Sequence, residues 1–249
     1  MPRVILFDVN ETLLDMAALD PLFEGLFGDR SVRAQWFDRM LQSALVSTVT
    51  ARYSEFGVTG LAALEMVATQ RGVELSDDHR LELRETMQHL PPHPEVRTSL
   101  ERLRDAGLRL ASLTNSTPQV AEAQLANAGL RDLFEESLSA HEVRRLKPAP
   151  EPYRMAADAL GARLGEVRLV AAHSWDIAGA LNAGCAAAFV ARPGKVLDPL
   201  WRLRMSSERT WPRWQPRSWR PSSKPDPPEW ATGVHSSPPT RPNSQHSSV

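Results

Sequence analysis

The chain has 249 residues, 42% of them hydrophobic, and a formal charge of −1. That length supports one domain with a sizeable core, or one domain carrying an insert, while the near-neutral charge gives no electrostatic case for nucleic acid or an anionic membrane. No apolar run reaches spanning length, no apolar leader is read in MPRVILFD, and the single cysteine, Cys185, allows neither an intrachain disulfide nor a cysteine zinc site, so a soluble, cytoplasmic protein is expected.

Val4-Ile5-Leu6-Phe7 is four apolar residues ending in an acid, Asp8. Such a run reads as a strand buried on both faces inside a parallel sheet. An acid at its end is costly unless it is solvated, paired or used, and ligands bind open α/β sheets at the carboxyl ends of the strands. Asp8 therefore stands where a nucleophile or a metal ligand would, or it merely caps the next segment. Residues 17 to 88 show helical periodicity on three stretches: Trp36, Met40, Leu41, Ala44 and Leu45; Leu61, Leu64, Val67 and Ala68; Leu81, Leu83 and Met87. Gly57 and Gly60 are expected to separate the first two, and Gly72 to end the second.

After Leu90-Pro91-Pro92-His93-Pro94 the pattern alternates. Helix (Glu95 to Asp105), strand (Leu108 to Leu113), helix (Pro118 to Ala128), an irregular stretch around Leu138 to Leu146, helix (Tyr153 to Leu160), strand (Arg168 to Ala172), helix (Ile177 to Ala183) and strand (Ala186 to Ala191) follow in turn. This order predicts an α/β fold, a doubly wound parallel sheet with right-handed crossovers. Residues 1–15 and 91–200 form its core, and 16–90 form a helical cap inserted after the first strand. From Trp201 onward the chain carries five of its seven tryptophans with many Pro, Ser and Arg and no apolar periodicity. Residues 201–249 read as a disordered basic tail, with a nucleic-acid or partner-binding arm and translation in a shifted frame after Leu200 as the other readings.

Three further strand ends point to the rim that carries Asp8: Thr114-Asn115, Lys147-Pro148 and His173-Ser174-Trp175-Asp176. A carboxylate, a hydroxyl/amide pair, a lysine and a second carboxylate suit nucleophilic displacement. Asp8 attacks carbon or phosphorus and forms an ester. Lys147 keeps Asp8 ionised. Thr12, Thr114 and Asn115 offer donors to an anion. Asp176 holds Lys147 or positions the water that cleaves the ester. Taken singly, Asn115 reads as a turn or cap residue, Lys147 as a solvated loop lysine and Asp176 as a helix cap.

With Phe7-Asp8-Val9-Asn10-Glu11-Thr12-Leu13, Leu113-Thr114-Asn115-Ser116, Leu146-Lys147-Pro148-Ala149-Pro150 with Tyr153, and Ala172-His173-Ser174-Trp175-Asp176 with Gly179-Ala180, the chain resembles the haloacid dehalogenase superfamily over about residues 3 to 200, and within it the type II L-2-haloacid dehalogenases. The resemblance implies that Asp8 displaces halide from the chiral carbon of a 2-haloalkanoic acid with inversion, and that water then releases a 2-hydroxy acid, with no metal or other cofactor. It places Leu41, Phe56 and Trp175 in an apolar substrate pocket, and hints at a homodimer. Leu41 and Phe56 also fit ordinary helix packing.

The common phosphatases of the superfamily carry an acid where this chain has Asn10, whose amide cannot deliver a proton. They also carry Gly-Asp, which helps hold Mg²⁺, where it has Ala171-Ala172. Both differences point away from phosphoryl transfer and towards metal-free carbon chemistry on a small acid; a phosphatase of the same fold and a non-catalytic anion- or partner-binding relative are the alternatives. Two positions depart from the dehalogenases. Phe37 follows Trp36 where the family has a substrate-binding Arg, and Arg33, one turn back on the same face, is either its replacement or a solvated surface residue. His173 stands in place of an Asn, titrates ordinarily near pH 6.5, and is a candidate to assist ester hydrolysis.

Overall fold

A computed structural model describes residues 4–201. Its five strands, β1 (Val4–Phe7), β2 (Arg109–Thr114), β3 (Glu136–Ser139), β4 (Val167–Ala171) and β5 (Ala186–Phe189), form one parallel sheet in the order β3-β2-β1-β4-β5. β1 is central, pairing with β2 from Val4↔Arg109 to Phe7↔Ser112 and with β4 from Val4↔Val167 to Phe7↔Val170. A strand covered on both faces has no polar side to offer, which is why it reads as an unbroken apolar run. The chain moves outward from β1 to β2 and β3, then returns to the far side of β1 for β4 and β5. That reversal opens a crevice at the carboxyl ends of β1 and β4.

Alternate side chains serve the two faces. Ile5, Phe7 and Leu110 join Val96 and Leu100 of α5 (Val96–Asp105) and Leu125 of α6 (Pro118–Asn127). Val4, Leu6, Leu113 and Leu169 join Tyr153 and Ala156 of α7 (Pro150–Ala159) and Ile177 of α8 (Ser174–Ala183). The doubly wound α/β architecture is the expected one. β3 differs from expectation: Glu136-Ser137-Leu138-Ser139 has one apolar residue in four, too little pattern to mark a strand that borders only β2.

Between β1 and α5 lie α1 (Asp20–Phe27), α2 (Val32–Val49), α3 (Phe56–Arg71) and α4 (Asp77–Gln88). Gly57 and Gly60 do not separate helices, as expected, but lie inside α3. Gly60 lets α3 approach α2: Trp36 Nε1 donates to its carbonyl at 2.8 Å, and a Cβ there would stand 3.2 Å from Met40 Cε. Gly72 ends α3 as expected, at φ 66°. One apolar cluster runs from Phe7 through Leu14 and Phe23 to Trp36 and Leu64, tying these helices to the sheet. Among the described residues no helix is long and apolar enough to cross a membrane. The readings made for 202–249 lie outside the described residues.

Candidate active site

Asp8 is the first residue past β1, and its backbone N–H continues the ladder to the Val170 carbonyl at 3.1 Å. The chain then turns sharply: the Val9 carbonyl accepts from Leu13 and Leu14 at 2.9 and 3.1 Å, and Glu11 takes a left-handed φ of 60°. The turn brings Thr12 back under Asp8. Thr12 Oγ1 donates to Asp8 Oδ2 at 2.7 Å and accepts from the Ala172 N–H at 2.9 Å, so it ties β1 to the end of β4. From β2, Asn115 Oδ1 accepts from the Lys147 backbone N–H at 2.8 Å and fixes the segment that delivers the lysine.

Lys147 has all three donors engaged. Its Nζ lies 2.9 Å from Asp8 Oδ1, 2.6 Å from Asp176 Oδ2 and 2.8 Å from the Leu113 carbonyl. Asp176, in the first turn of α8, accepts from the Tyr153 hydroxyl at 2.5 Å through its other oxygen. This centre is packed tightly: a Cβ at Gly179 would sit 2.5 Å from Tyr153 Oη and 2.8 Å from the Pro148 carbonyl. On the other side of Asp8, His173 Nδ1 is 3.1 Å from Oδ2 and His173 Nε2 is 2.8 Å from Glu11 Oε2, which also takes Lys195 Nζ at 2.6 Å. The imidazole lies between the rings of Phe37 and Trp175, with centroids 5.7 and 5.2 Å away.

These contacts set the charges. Burial opposes ionisation of Asp8, but Lys147 and His173 outweigh it and hold the carboxyl well below its usual range. Burial likewise opposes the charged form of His173, and the hydrogen bonds to Asp8 and Glu11 reverse that and raise it to about 9. His173 is thus a cation at neutral pH, not the neutral imidazole its ordinary value suggests. Lys147 is pulled down by burial and raised further by Asp176 and Asp8. Asp176 is raised by burial against the pull of Lys147.

A cavity of about 10 Å³ opens on this rim. Asp8, Asn10, Thr114, Asn115, Lys147, His173 and Trp175 line it from the sheet, and Phe37 and Phe56 from the helices. The cavity brings together Asp8, Asn10, Phe56, Thr114, Asn115, Lys147, His173 and Trp175 of the expected residues, while Thr12, Asp176, Leu41 and Arg33 do not line it. Thr12 donates its proton to the Asp8 carboxylate, not to a bound or departing anion. Asp176 is fully buried behind Lys147 and does not line the cavity. Leu41 packs into the apolar cluster, because Phe37, one turn earlier on α2, presents its ring to the site instead. Arg33 does not reach the cavity: its Nε is held by Asp20 at 2.5 Å and its Nη1 lies 3.8 Å from Glu11.

Sequence reasoning missed Glu11, Phe37, Tyr153 and Lys195 as parts of the site. Glu11 and Tyr153 lay inside the quoted motifs, but no pattern in the sequence shows that Glu11 meets His173 or that Tyr153 meets Asp176. Nothing in the sequence brings Lys195 back over the first loop. A divalent ion does not fit this rim. The Lys147 ammonium spans Asp8 and Asp176, and among the described residues no three His, Cys, Asp or Glu converge to hold a metal.

A family profile described as haloacid dehalogenase-like hydrolase matches residues 2–184. The chain is 32% identical over 200 residues to an (S)-2-haloacid dehalogenase of Pseudomonas sp. strain YL, covering 79% of this chain and 85% of that protein. It is 29% identical over 194 residues to an (S)-2-haloacid dehalogenase of Xanthobacter autotrophicus, covering 77% and 76%. The structure of the L-2-haloacid dehalogenase from Xanthobacter autotrophicus with chloropropionic acid covalently bound superposes with a TM-score of 0.72 at 27% identity, covering 85% of each chain.

Proposed function

Because the chain belongs to the haloacid dehalogenase-like hydrolase family, we propose that it hydrolyses the carbon–halogen bond of a small 2-haloacid through an ester on Asp8, using only its own side chains. The observation that carries this reading is the bonding of Asp8. Oδ2 accepts from both Thr12 and His173, whereas Oδ1 accepts only from Lys147, so an ionised carboxylate lining the cavity keeps a lone pair free on Oδ1.

In the first step Oδ1 forms a bond to C2 as the carbon–halogen bond breaks on the opposite side, and halide leaves with the electron pair. Lys147 steadies the carboxylate without protonating it. Asn115 and the Trp175 indole N–H, which is buried without a partner among the described residues, are the donors we assign to halide or substrate carboxylate. Phe37 and Phe56 keep the site dry. Asn10, whose Oδ1 accepts from Gln124 at 3.0 Å, has no proton to give a leaving alkoxide, which counts against phosphoester hydrolysis.

Esterification removes the charge of Asp8. His173 then loses one of the two carboxylates that hold its proton, releases the Nδ1 proton to solvent, becomes neutral, and keeps N–H on Nε2 because Glu11 accepts there. Nδ1, beside the ester, takes a proton from water as the water oxygen bonds to Asp8 Cγ. As the adduct collapses, the hydroxyl proton that came with the water passes to the departing oxygen, which releases the 2-hydroxy acid, restores the Asp8 carboxylate and leaves His173 protonated. Asp176 serves this cycle by holding Lys147. Halide release from 2-chloropropionate, measured without added metal, tests the reading: it should vanish in Asp8→Asn, and turnover in heavy-oxygen water should label Asp8. Turnover that leaves Asp8 unlabelled sinks it.

Within this reading residues 1–15 and 91–200 act as the catalytic core and 16–90 as a cap over the cavity. We further propose a cytoplasmic homodimer joined through exposed apolar side chains such as Val46 and Val49 on α2. Light scattering on Val49→Glu tests the assembly; a wild-type monomer would discard it.

A further inference from the structure

The space above Asp8, about 10 Å³, holds roughly one water. A second cavity of about 240 Å³ lies between α2, α3, α4 and the start of α6. Phe56 lines both and is the one residue that does. The wall of the larger cavity is made chiefly by Trp36, Met40, Leu61, Leu83 and Met87. The apolar part of this wall accepts methylene groups, while Glu55, Arg84, Gln88, Ser116 and Thr117 also line the cavity.

We infer that the larger cavity is an acyl subsite, that Phe56 is its partition from the catalytic cavity, and that the preferred substrates are 2-haloacids whose alkyl chains extend beyond three carbons. The inference rests on the dehalogenase reading and names its substrate class. The polar end of such an acid stays at Asn115 and Trp175, C2 lies at Asp8, and the tail runs past Phe56 between α2 and α4. The subsite requires the partition to turn. Phe56 is the first residue of α3, the preceding Glu55 makes no side-chain cap, and there is open space around Gly57. Turning the ring breaks no hydrogen bond, since a phenyl group makes none.

The test is halide release from 2-bromopropionate, 2-bromobutyrate, 2-bromohexanoate and 2-bromooctanoate by the full-length protein. kcat/KM should rise about fourfold per added methylene up to hexanoate. Val120→Trp places an indole in the chamber from α6. It should cut the hexanoate value on the order of tenfold and leave 2-bromopropionate within about twofold. Phe56→Leu, which thins the partition, should raise the hexanoate-to-propionate ratio, and it reads the same question if Val120→Trp does not fold. Values that fall steadily from propionate, or a hexanoate rate untouched by both variants, overturn the acyl subsite while leaving dehalogenation standing. No halide from any of the four acids overturns the dehalogenase reading and the subsite with it.

Discussion

The cavity has two unlike walls. On the sheet side Asp8, Lys147 and His173 line it, and with Glu11, Asp176 and Lys195 behind them they interlock three carboxylates with three cations. On the helix side Phe37 and Phe56 bring rings and no polar atom. The sheet wall is rigid because each Nζ proton of Lys147 and each ring nitrogen of His173 has one partner in one place; the helix wall is held by shape alone. The comparison teaches where each property resides. Reactivity belongs to the strand ends, where charge can be buried only because it is paired, and the helices supply a low-dielectric cover that strengthens those pairings.

Removing the common cation tests the sheet wall most severely. Lys147→Met leaves Asp8 and Asp176 as two buried carboxylates with nothing between them. A loss of about 3–5 kcal/mol in urea unfolding is expected, together with a loss of halide release by more than about 10⁴-fold, because one carboxylate then takes a proton. The pH dependence should change sign. In the wild type the lowered Asp8 contributes stability that is present above the ordinary carboxylate range and lost as pH falls through the folded value. In the variant a raised carboxylate makes the protein more stable in acid. A variant as active and as stable as the wild type would show that the interlocking is not the source of reactivity.

The second test separates the two chemical steps on the same wall. His173→Asn keeps a donor to Asp8 but has no base for water. The first step should persist, the ester should accumulate and be visible as added mass on the peptide containing Asp8, and its hydrolysis should slow by about 10²–10⁴-fold. Glu11→Gln should slow the same step less. Ester breakdown at the wild-type rate in His173→Asn would return the role of base to another group.

Part of the sheet wall was legible in the sequence because strand ends are the easiest positions to read: Asp8, Asn115 and His173 each come just after a strand, whereas Glu11 and Lys195 carried no such mark. The parallel sheet itself followed from the same runs, except β3, whose polar sequence hides it. The helix wall was not legible. An amphipathic helix shows which stripe is apolar but not which residue of the stripe points at the site, so Leu41 was expected where Phe37 stands. Arg33 read either as the replacement for a missing charge or as a surface arginine, and its pairing with Asp20 was not legible; nor was the charge on His173, because only the proximity of Glu11 and Asp8 in space makes that imidazole a cation.

A third, smaller effect follows from that cation. The folded value of His173, about 9, lies above the unfolded value near 6.5. Its contribution, on the order of 3 kcal/mol, is therefore complete below about pH 6.5 and is lost as pH rises through about 9. Asp8 and Glu11, the carboxylates that hold the ring, stay charged across that window. Wild-type unfolding free energy should decline between those limits, and the decline should flatten in His173→Asn. Equal slopes in the two proteins would mean that the imidazole is neutral in the folded state.

Trp175 sits where the walls meet, and its replacement decides to which it belongs. The indole N–H is buried and unpaired among the described residues, while the ring stacks on His173 and lies 5.8 Å from Lys147 Nζ. An unpaired buried donor costs about 1–3 kcal/mol in desolvation, so Trp175→Phe should leave the melting temperature unchanged or slightly higher, with the ring contacts largely kept. If the N–H is reserved for the substrate, the same change should raise KM for the 2-haloacid on the order of tenfold, with a smaller effect on kcat, since a donor to the bound carboxylate is used alike in ground and transition states. A lower melting temperature with KM unmoved would assign Trp175 to the apolar wall, as a packing residue that happens to carry a nitrogen.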